Sequence, residues 1–457
     1  MGNGFRYFMV VAFVIIVLSV FLPPTVAENT ESPSILKYDV EEVFVSRLRH
    51  IIEITNPTPG IVTGVNLYVP LICNETARHY AILYSVQPGG YHFIRDGSGN
   101  VYAYWKDLAF SPGQTFMVEF DYRILSFSIT YTVNSSLIGD YNKSSELYMK
   151  YTQPEEFIES NSTEIVEKAR EITGDESDPH RKARLIYNFV VSYLRYEIQE
   201  DEKGALWALE HGIGDCSEYS YLFAALCRAA GIPARVQAGF AFHYMNEVLK
   251  DGHMWAEYYL ENYGWIPVDA TWQLFDAIDN KHFSSIKSIP EVIPYSNYYI
   301  NGTETQLVDE QTVQLTALQP NTFDDSAFAQ NIVSAVQRIR QAEFALSLGK
   351  IFGTSLIFPS EIKKVERELL ESKICLQKAI DSWETSAQIA SLSVIEALEN
   401  IGKTLNNAWM LVLKTFALYM GILAASMLIL LIIFRRSGKG LYGKGGTSHI
   451  AKAACKH

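Results

Sequence analysis

A cysteine stands at the start of a predicted helix, where its sulfur could act as a nucleophile. Cys216 follows Gly214 and Asp215, and Glu218 comes two residues later. Asp215 is a good N-cap, and a glutamate three residues after the cap can complete a capping box, so Cys216 falls at the first helical position. Unpaired backbone N–H groups and the helix dipole favour a thiolate over a thiol at that position.

A histidine and an aspartate follow on two predicted strands. His253 begins the first strand, Asp269 ends the second, and residues 261–264 form the turn between them. A hairpin would bring the two side chains onto neighbouring strands, although its register does not follow from the sequence. A thiol, an imidazole that accepts its proton and a carboxylate that orients the ring form a nucleophilic triad. A lone cysteine at a helix start is more often structural, so the prediction depends on all three residues occurring together.

Three runs of this chain resemble the core of the transglutaminase-like superfamily of papain-type thiol acyltransferases and peptidases: GDCSEYSYLFAALCRAAGIPAR, HMWAEYYL and GWIPVDATW. They occur in the order expected for that family and cover about residues 160–275 with their surroundings. The resemblance implies that Cys216, His253 and Asp269 are the catalytic triad. It also implies an α+β papain-like fold for this part of the chain.

Further residues are predicted to support the site. The backbone N–H of Cys216 is one expected donor to an oxyanion, and Trp207 is the candidate for the side-chain donor. Trp255, two residues after His253, and Glu218 are the other expected binding or support residues. The sequence has no CxxC pair and no calcium-loop signature, so neither a metal nor a cofactor is expected.

The composition excludes several classes of protein. The chain is 48% hydrophobic and 19% charged, as is typical of globular proteins, and its net charge of -13 argues against nucleic acid as a partner. Its five cysteines are dispersed, which argues against a disulfide-built fold and against a zinc site.

Apolar segments near both ends predict a membrane protein. Residues 1–27 are typical of a signal peptide, or of a signal anchor if they are not cleaved. Residues 415–434 carry no charge and are long enough to form a transmembrane helix in the lipid bilayer. The basic tail, residues 435–457, should then be cytoplasmic and the catalytic domain extracellular. The protein would cross the cell membrane once, or twice with an uncleaved signal.

The remaining chain divides into four predicted segments. Residues 33–150 alternate apolar and polar side chains, which predicts an all-β sandwich, and residues 154–275 form the α+β catalytic domain. Residues 276–323 show no clear periodicity and are interpreted as a linker or covering loop. Residues 325–410 predict two long helices, the second running from residue 360 to 405, that form a coiled-coil stalk. The same helices could instead pair two copies of the chain.

These predictions combine into a membrane-anchored extracellular cysteine enzyme acting on a protein or peptide at the cell surface. Cys216 would attack a peptide or carboxamide carbonyl and form a thioester, with His253 as base and then acid and Asp269 orienting it. Water would complete a peptidase or amidase reaction, and a primary amine would complete a protein-glutamine acyl transfer. We favour hydrolysis because no calcium loop is recognised. The alternative is a catalytically inactive surface module that binds peptides or polymer.

Overall fold

The computed structural model describes residues 35–75, 77–302 and 306–441. The predicted signal segment 1–27 and the end of the basic tail lie outside these residues. The strands are β1 (Tyr38–Thr55), β2 (Val62–Pro70), β3 (His79–Gln87), β4 (His92–Arg95), β5 (Val101–Phe110), β6 (Thr115–Tyr131), β7 (Arg195–Tyr196), β8 (Ile213–Gly214), β9 (Ala234–Ala241), β10 (Val248–Leu249), β11 (His253–Leu260), β12 (Gly264–Asp269), β13 (Leu274–Phe275), β14 (Ala277–Ile278), β15 (His282–Ile286), β16 (Tyr299–Asn301) and β17 (Val308–Leu318).

The first helix begins after β6. Five of the described helices occur between β6 and β9, and the remaining four follow β17. The helices are α1 (Glu146–Thr152), α2 (Thr163–Thr173), α3 (Pro179–Tyr193), α4 (Ala205–His211), α5 (Cys216–Ala229), α6 (Ser326–Ile351), α7 (Thr354–Ile357), α8 (Pro359–Ser382) and α9 (Ala387–Leu441). Short 3₁₀ helices occur at Ser135–Leu137 and Pro320–Thr322. The described chain is therefore a mixed α/β protein with a sheet-rich N-terminal part.

The N-terminal part is a sandwich of two antiparallel sheets. One sheet has the order β10-β17-β1-β6-β14, with β3 also paired to β6, and the other has the order β16-β2-β5-β4. The alternation of side chains along each strand turns one set of apolar residues inward, including Leu48, Trp105 and Phe120. Residues 33–150 supply only part of this sandwich, because four of its strands come from later in the chain.

Residues 276–323 are not a linker, contrary to the sequence-based expectation. They contribute β14 and β17 to the larger sandwich sheet, β16 to the smaller one, and β15 to the sheet of the central domain. Strand β17 pairs antiparallel with β1 along its whole length. Its buried side chains, Gln311, Val313 and Leu315, do alternate. The alternation of buried residues in β17 covers only three positions, starts with the polar Gln311 and lies in a turn-rich segment. For this reason the sequence periodicity did not indicate a strand here.

The central domain packs helices against a five-stranded antiparallel sheet of order β13-β12-β11-β9-β15. Helix α5 lies at the centre of the domain and buries Leu222, Phe223 and Leu226, among others. The helix is followed by Gly231 in the left-handed conformation, at a φ of 79°, which glycine adopts without strain. This arrangement places Cys216, at the start of α5, in the same cavity as His253 at the start of β11.

The predicted second stalk helix is interrupted. A break between α8 and α9, after Ser382, replaces the continuous helix expected from residue 360 to 405. Ser386 accepts a hydrogen bond from the backbone N–H of Ile389 at 3.3 Å and so caps the start of α9. The sequence carries this cap signal, but the apolar spacing on both sides of it favoured one long helix.

The result is a three-helix bundle of α6, α8 and α9 instead of a two-helix hairpin. Trp383, in the break, packs on Tyr80 of the sandwich with ring centroids 4.4 Å apart, and it also stacks on Phe328 of α6. The apolar core of the bundle is continuous with residues of the larger sandwich sheet. The bundle is therefore packed directly against the sandwich.

Helix α9 continues beyond the bundle. Within the described chain it is the one helix that is long and apolar enough to cross a membrane. Its bundle portion buries Ala390, Val394 and Ile401 completely, whereas its apolar side chains from residue 416 to 432 are largely exposed. The span expected at residues 415–434 begins at the buried Thr415 and continues through this exposed portion.

Candidate active site

Cys216 is the first residue of α5, and a capping box fixes this helix start. Asp215 accepts a hydrogen bond from the backbone N–H of Ser217 at 3.0 Å, and Glu218 accepts one from the N–H of Asp215 at 2.9 Å. Glu218 is fully buried, and a Cβ at Gly214 would lie only 2.4 Å from its Cβ. The approach to the helix therefore requires glycine, and Glu218 supports the cysteine by holding the loop before it.

His253 and Asp269 meet across the β11–β12 hairpin. Ala256 pairs with Val268, so Asp269 lies two residues along from His253 on the same face, a diagonal relation that long side chains can bridge. His253 Nε2 and Asp269 Oδ2 are 2.7 Å apart. Asp269 is fully buried and also accepts a hydrogen bond from the backbone N–H of Trp272 at 2.9 Å.

The environment of this pair favours its charged form. Burial disfavours a protonated His253, but the attraction of Asp269 and hydrogen bonds to Asp269 and Cys216 outweigh burial and raise the pKa of the ring to about 9. Burial likewise opposes ionisation of Asp269, but His253 and His282 hold the pKa of its carboxyl well below the usual range. Because Nε2 of His253 faces Asp269, its Nδ1 is the nitrogen left for the thiol of Cys216.

A second histidine, which the sequence did not indicate, shares Asp269. His282 lies in β15, and its Nε2 is 3.2 Å from Asp269 Oδ2. Its Nδ1 is 2.9 Å from Asp279 Oδ1. Burial lowers the pKa of His282, but its hydrogen bonds to both carboxylates outweigh burial and raise the pKa to about 9. A single histidine in a segment without periodicity offered no signal for this contact.

Among the described residues, His253, Asp269 and His282 are of types that can bind a metal ion, and they lie close together. One potential ligand atom of each is within 4.8 Å of the others. Both Nε2 atoms already bond to Asp269 Oδ2. The ligand atoms thus satisfy one another, and we interpret the group as a hydrogen-bonded cluster complete in itself.

Two tryptophans enclose the histidines, whereas Trp207 lies elsewhere. Cys216 and His253 line a cavity of about 250 Å³. The ring of Trp255 is buried and nearly parallel to that of His253, with centroids 6.1 Å apart, and Trp272 lies 5.3 Å from the same ring. Trp207 instead stacks on His211, one turn further along α4, and does not line the cavity. The expectation that Trp207 stabilises an oxyanion is not supported by this placement.

Tyr196 lies on the strand that pairs with the approach to Cys216. Strand β7 pairs in parallel with β8, which places Tyr196 opposite Gly214, two residues before the cysteine. Burial, and next the neighbouring Cys216 and Asp215, raise the pKa of the phenol to about 12. The phenol therefore stays protonated at neutral pH, and its O–H group can donate a hydrogen bond.

A buried ionic cluster joins the five-stranded sheet of the central domain to the sandwich. Glu257 of β11 is fully buried and contacts Arg78, next to β3, and Arg235 of β9, whose Nε is 2.6 Å from Glu257 Oε2. Gln237 donates to the same oxygen at 2.5 Å, and Arg78 also pairs with Glu75 at 2.7 Å. This cluster fixes β11, and hence His253, against the neighbouring domain.

Comparisons with known proteins bear on this domain. Residues 166–270 match the model of the transglutaminase-like superfamily. A protein-glutamine gamma-glutamyltransferase of Pseudomonas aeruginosa is 41% identical over 68 residues, 13% of this chain and 10% of that protein. An uncharacterized protein of Haemophilus influenzae is 32% identical over 123 residues, 22% of this chain and 33% of that protein. The chain thus covers no more than about a third of these curated relatives.

Two solved structures are similar over a longer stretch. A candidate cysteine protease from Cytophaga hutchinsonii has a TM-score of 0.48 and 16% identity, and the match covers 62% of this chain and 93% of that one. The periplasmic domain of TgpA from Pseudomonas aeruginosa, bound to ethylmercury, has a TM-score of 0.27 and 16% identity, covering 51% and 91%.

Proposed function

Because residues 166–270 form a transglutaminase-like domain, we propose that this protein is a cysteine enzyme that transfers acyl groups from peptides or carboxamides. The observation that carries the proposal is the His253–Asp269 pair at 2.7 Å, with Cys216 lining the same cavity as His253. The thiolate would attack the carbonyl carbon, the amine would leave with a proton from His253, and a thioester would remain. Water or an amine would then attack the thioester, give its proton to His253 and release the sulfur.

We propose hydrolysis as the main outcome, because the sequence carries no calcium-loop signature. Incubating the full chain with a glutamine-containing peptide library and a primary amine at neutral pH distinguishes the two outcomes. Mass spectrometry should find new carboxyl groups, from cleaved peptide bonds or from glutamine converted to glutamate, in excess over amine adducts. Adducts in excess would make the protein a cross-linking enzyme. If neither product forms, the result contradicts the proposed function.

Cys216 is expected to react with iodoacetamide already at about pH 6, below the ~8.5 at which an ordinary thiol titrates. The pKa of His253 is raised to about 9, so below that pH the ring stays protonated and stabilises a neighbouring thiolate. The rate is measured by mapping the alkylated peptide over a range of pH. His253→Ala should move the reactivity into the range of free glutathione, and equal profiles for the two proteins would contradict the ion pair.

Tyr196 is proposed as the side-chain donor to the oxyanion, together with the backbone N–H of Cys216. Its strand places it opposite Gly214, two residues before the cysteine, and its pKa of about 12 keeps the phenol protonated at neutral pH. Tyr196→Phe should lower kcat by about 10²–10³-fold, the usual loss when one oxyanion donor is removed. KM and the alkylation rate of Cys216 should change little, since neither involves the oxyanion. Tyr193→Phe, on the preceding helix, is the matched control, and an equal loss in both variants would argue against this role.

We also propose that α9 anchors the protein in a cell membrane, with the catalytic domain outside and the tail inside. Arg435, Arg436 and the lysines that follow them in the sequence support this orientation by the positive-inside rule. The turn before α8 lies level with the start of the span, because Thr354 Oγ1 is 2.9 Å from Thr415 Oγ1. Leu356 in this turn is 88% exposed, as suits a residue facing lipid.

The full chain should remain in the membrane pellet after an alkaline wash. Replacing both Leu423 and Met427 with lysine, each costing about 2.5–3.5 kcal/mol at the centre of a span, should release most of it. Both side chains are exposed in α9. Phe344→Lys, at an exposed apolar position of the bundle, is the matched control and should stay in the pellet. Retention of the double variant would show that another segment holds the protein.

A further inference from the structure

His282 is enclosed between two carboxylates. Its Nε2 is 3.2 Å from Asp269 Oδ2, and its Nδ1 is 2.9 Å from Asp279 Oδ1. A neutral imidazole carries a single N–H and can donate to only one of them. Burial opposes ionisation of both carboxyls, but the neighbouring histidines outweigh burial and lower both pKa values. The hydrogen bonds are therefore all satisfied only when His282 carries two N–H groups and a positive charge.

This charge lies close to His253. Nε2 atoms of both rings bond to the same oxygen, Asp269 Oδ2, and the ring centroids are 5.8 Å apart. The negative charge of Asp269 is thus shared between two imidazoles instead of being available to His253 alone. A like charge at about 4–6 Å disfavours the charged form of a group, and here it opposes protonation of His253.

We propose that His282, held as an imidazolium between Asp269 and Asp279, is a positioning residue that limits the basicity of His253. With Asp269 to itself, His253 would bind its proton too tightly to pass it to a leaving amine. With Asp269 shared, the same ring holds the thiol proton less tightly and can pass it to the leaving amine. The catalytic part of this inference rests on the proposed function, whereas the charge on His282 rests on the hydrogen-bond geometry.

The other groups around the two rings are consistent with this assignment. Lys281 Nζ lies 3.3 Å from Asp279 Oδ2 and pairs with the outer carboxylate, on the side away from His253. Tyr187, on α3, faces Asp269, and burial raises the pKa of its phenol, so it adds no charge at neutral pH. Trp255 and Trp272 contact His282 edge-on, with centroids 5.3 and 4.8 Å away, and shield it from water. The titratable and charged groups facing the cluster are Cys216, His253, Asp269, Asp279, Lys281 and Tyr187.

The test uses the purified full chain in detergent and the pH profile of Cys216 alkylation. The rate should rise in two steps, first when the thiolate forms beside the imidazolium and again when His253 loses its proton. His282→Gln removes the charge but keeps a donor toward Asp269, and it should move the second midpoint up by about one pH unit or more. His282→Lys keeps the charge, and its second midpoint should stay near that of the unaltered chain. His180→Gln is the matched control, since His180 bonds Asp276 at 2.8 Å outside the cavity.

The outcomes separate the two proposals. A rate that falls equally at every pH in His282→Gln, with the second midpoint unmoved, would reduce His282 to a structural role and overturn the inference. An unaltered chain with one ordinary thiol step would overturn the proposed function instead, and the charge on His282 would then be decided by the second measurement.

The second measurement does not depend on a His282 variant that folds. The chain is labelled with ¹³C at histidine Cε1 in the His253→Ala background, and the ring resonances are followed with pH. One resonance should stay at the imidazolium position up to about pH 8, well above the ~6.5 of an ordinary histidine. If every ring is neutral at that pH, His282 is not a fixed cation and the inference fails.

Discussion

Replacing Cys216 with alanine is expected to abolish both hydrolysis and amine transfer, by about 10⁴-fold or more, because the proposed thioester forms on the Cys216 sulfur. The rates are measured on the peptide substrates identified with the unaltered chain. The thermal unfolding midpoint should not fall, since the capping box at the start of α5 uses Asp215 and Glu218 and not the sulfur.

Cys375→Ala is the matched control for this substitution. Cys375 is a free, partly buried cysteine in the helical bundle and does not line the cavity. It should retain full turnover. If Cys216→Ala keeps the activity, the nucleophile lies elsewhere. If the unaltered chain has no activity and Cys216→Ala keeps its biological role, the domain is a binding module.

Glu257→Ala is expected to lower the free energy of unfolding by about 3–5 kcal/mol, because it leaves two buried cations without their shared carboxylate. Arg78 and Arg235 both pair with Glu257, and the glutamate is fully buried. Urea unfolding of the full chain, followed by tryptophan fluorescence, gives the change. Activity should fall with stability, since β11 carries both Glu257 and His253.

Glu171→Ala provides the comparison at the surface. Glu171 pairs with Lys168 at 2.6 Å on α2, but its side chain is 70% exposed. An exposed pair of this kind contributes about 1 kcal/mol or less. Equal losses in the two variants would mean that the buried cluster contributes no more than a surface pair, contrary to the expectation for uncompensated buried charge.

The family and the start of α5 were predictable because their signals are local. The match of residues 166–270 to the transglutaminase-like model confirms the resemblance found in the three sequence runs. Asp215 and Glu218 lie within one turn of Cys216, so the capping box follows from their spacing alone. The placement of Trp207 away from the cavity was not predictable, because its ring stacks on His211, a neighbour that gave no such signal.

Contacts between distant segments were not predictable. His282 reaches Asp269 only because β15 and β11 flank β9, which depends on the order of strands in the sheet. Residues 276–323 contain strands of three sheets. In each of these strands the alternation of apolar and polar residues is too short to tell the segment from a loop. The break before α9 was missed for a related reason, because apolar spacing on either side of Ser386 continues the helical pattern.

The sequence by itself therefore determined the superfamily, the position of the thiol at a helix start, and an apolar segment long enough to span a membrane. Each of these depends on residues close together in the chain, where spacing and side-chain type decide the outcome. Only the tertiary structure decided which groups share Asp269, how the sandwich closes with β17, and how the bundle packs on Tyr80. Those contacts arise from sheet order and side-chain packing between remote segments, and periodicity along the chain does not encode which remote segments meet.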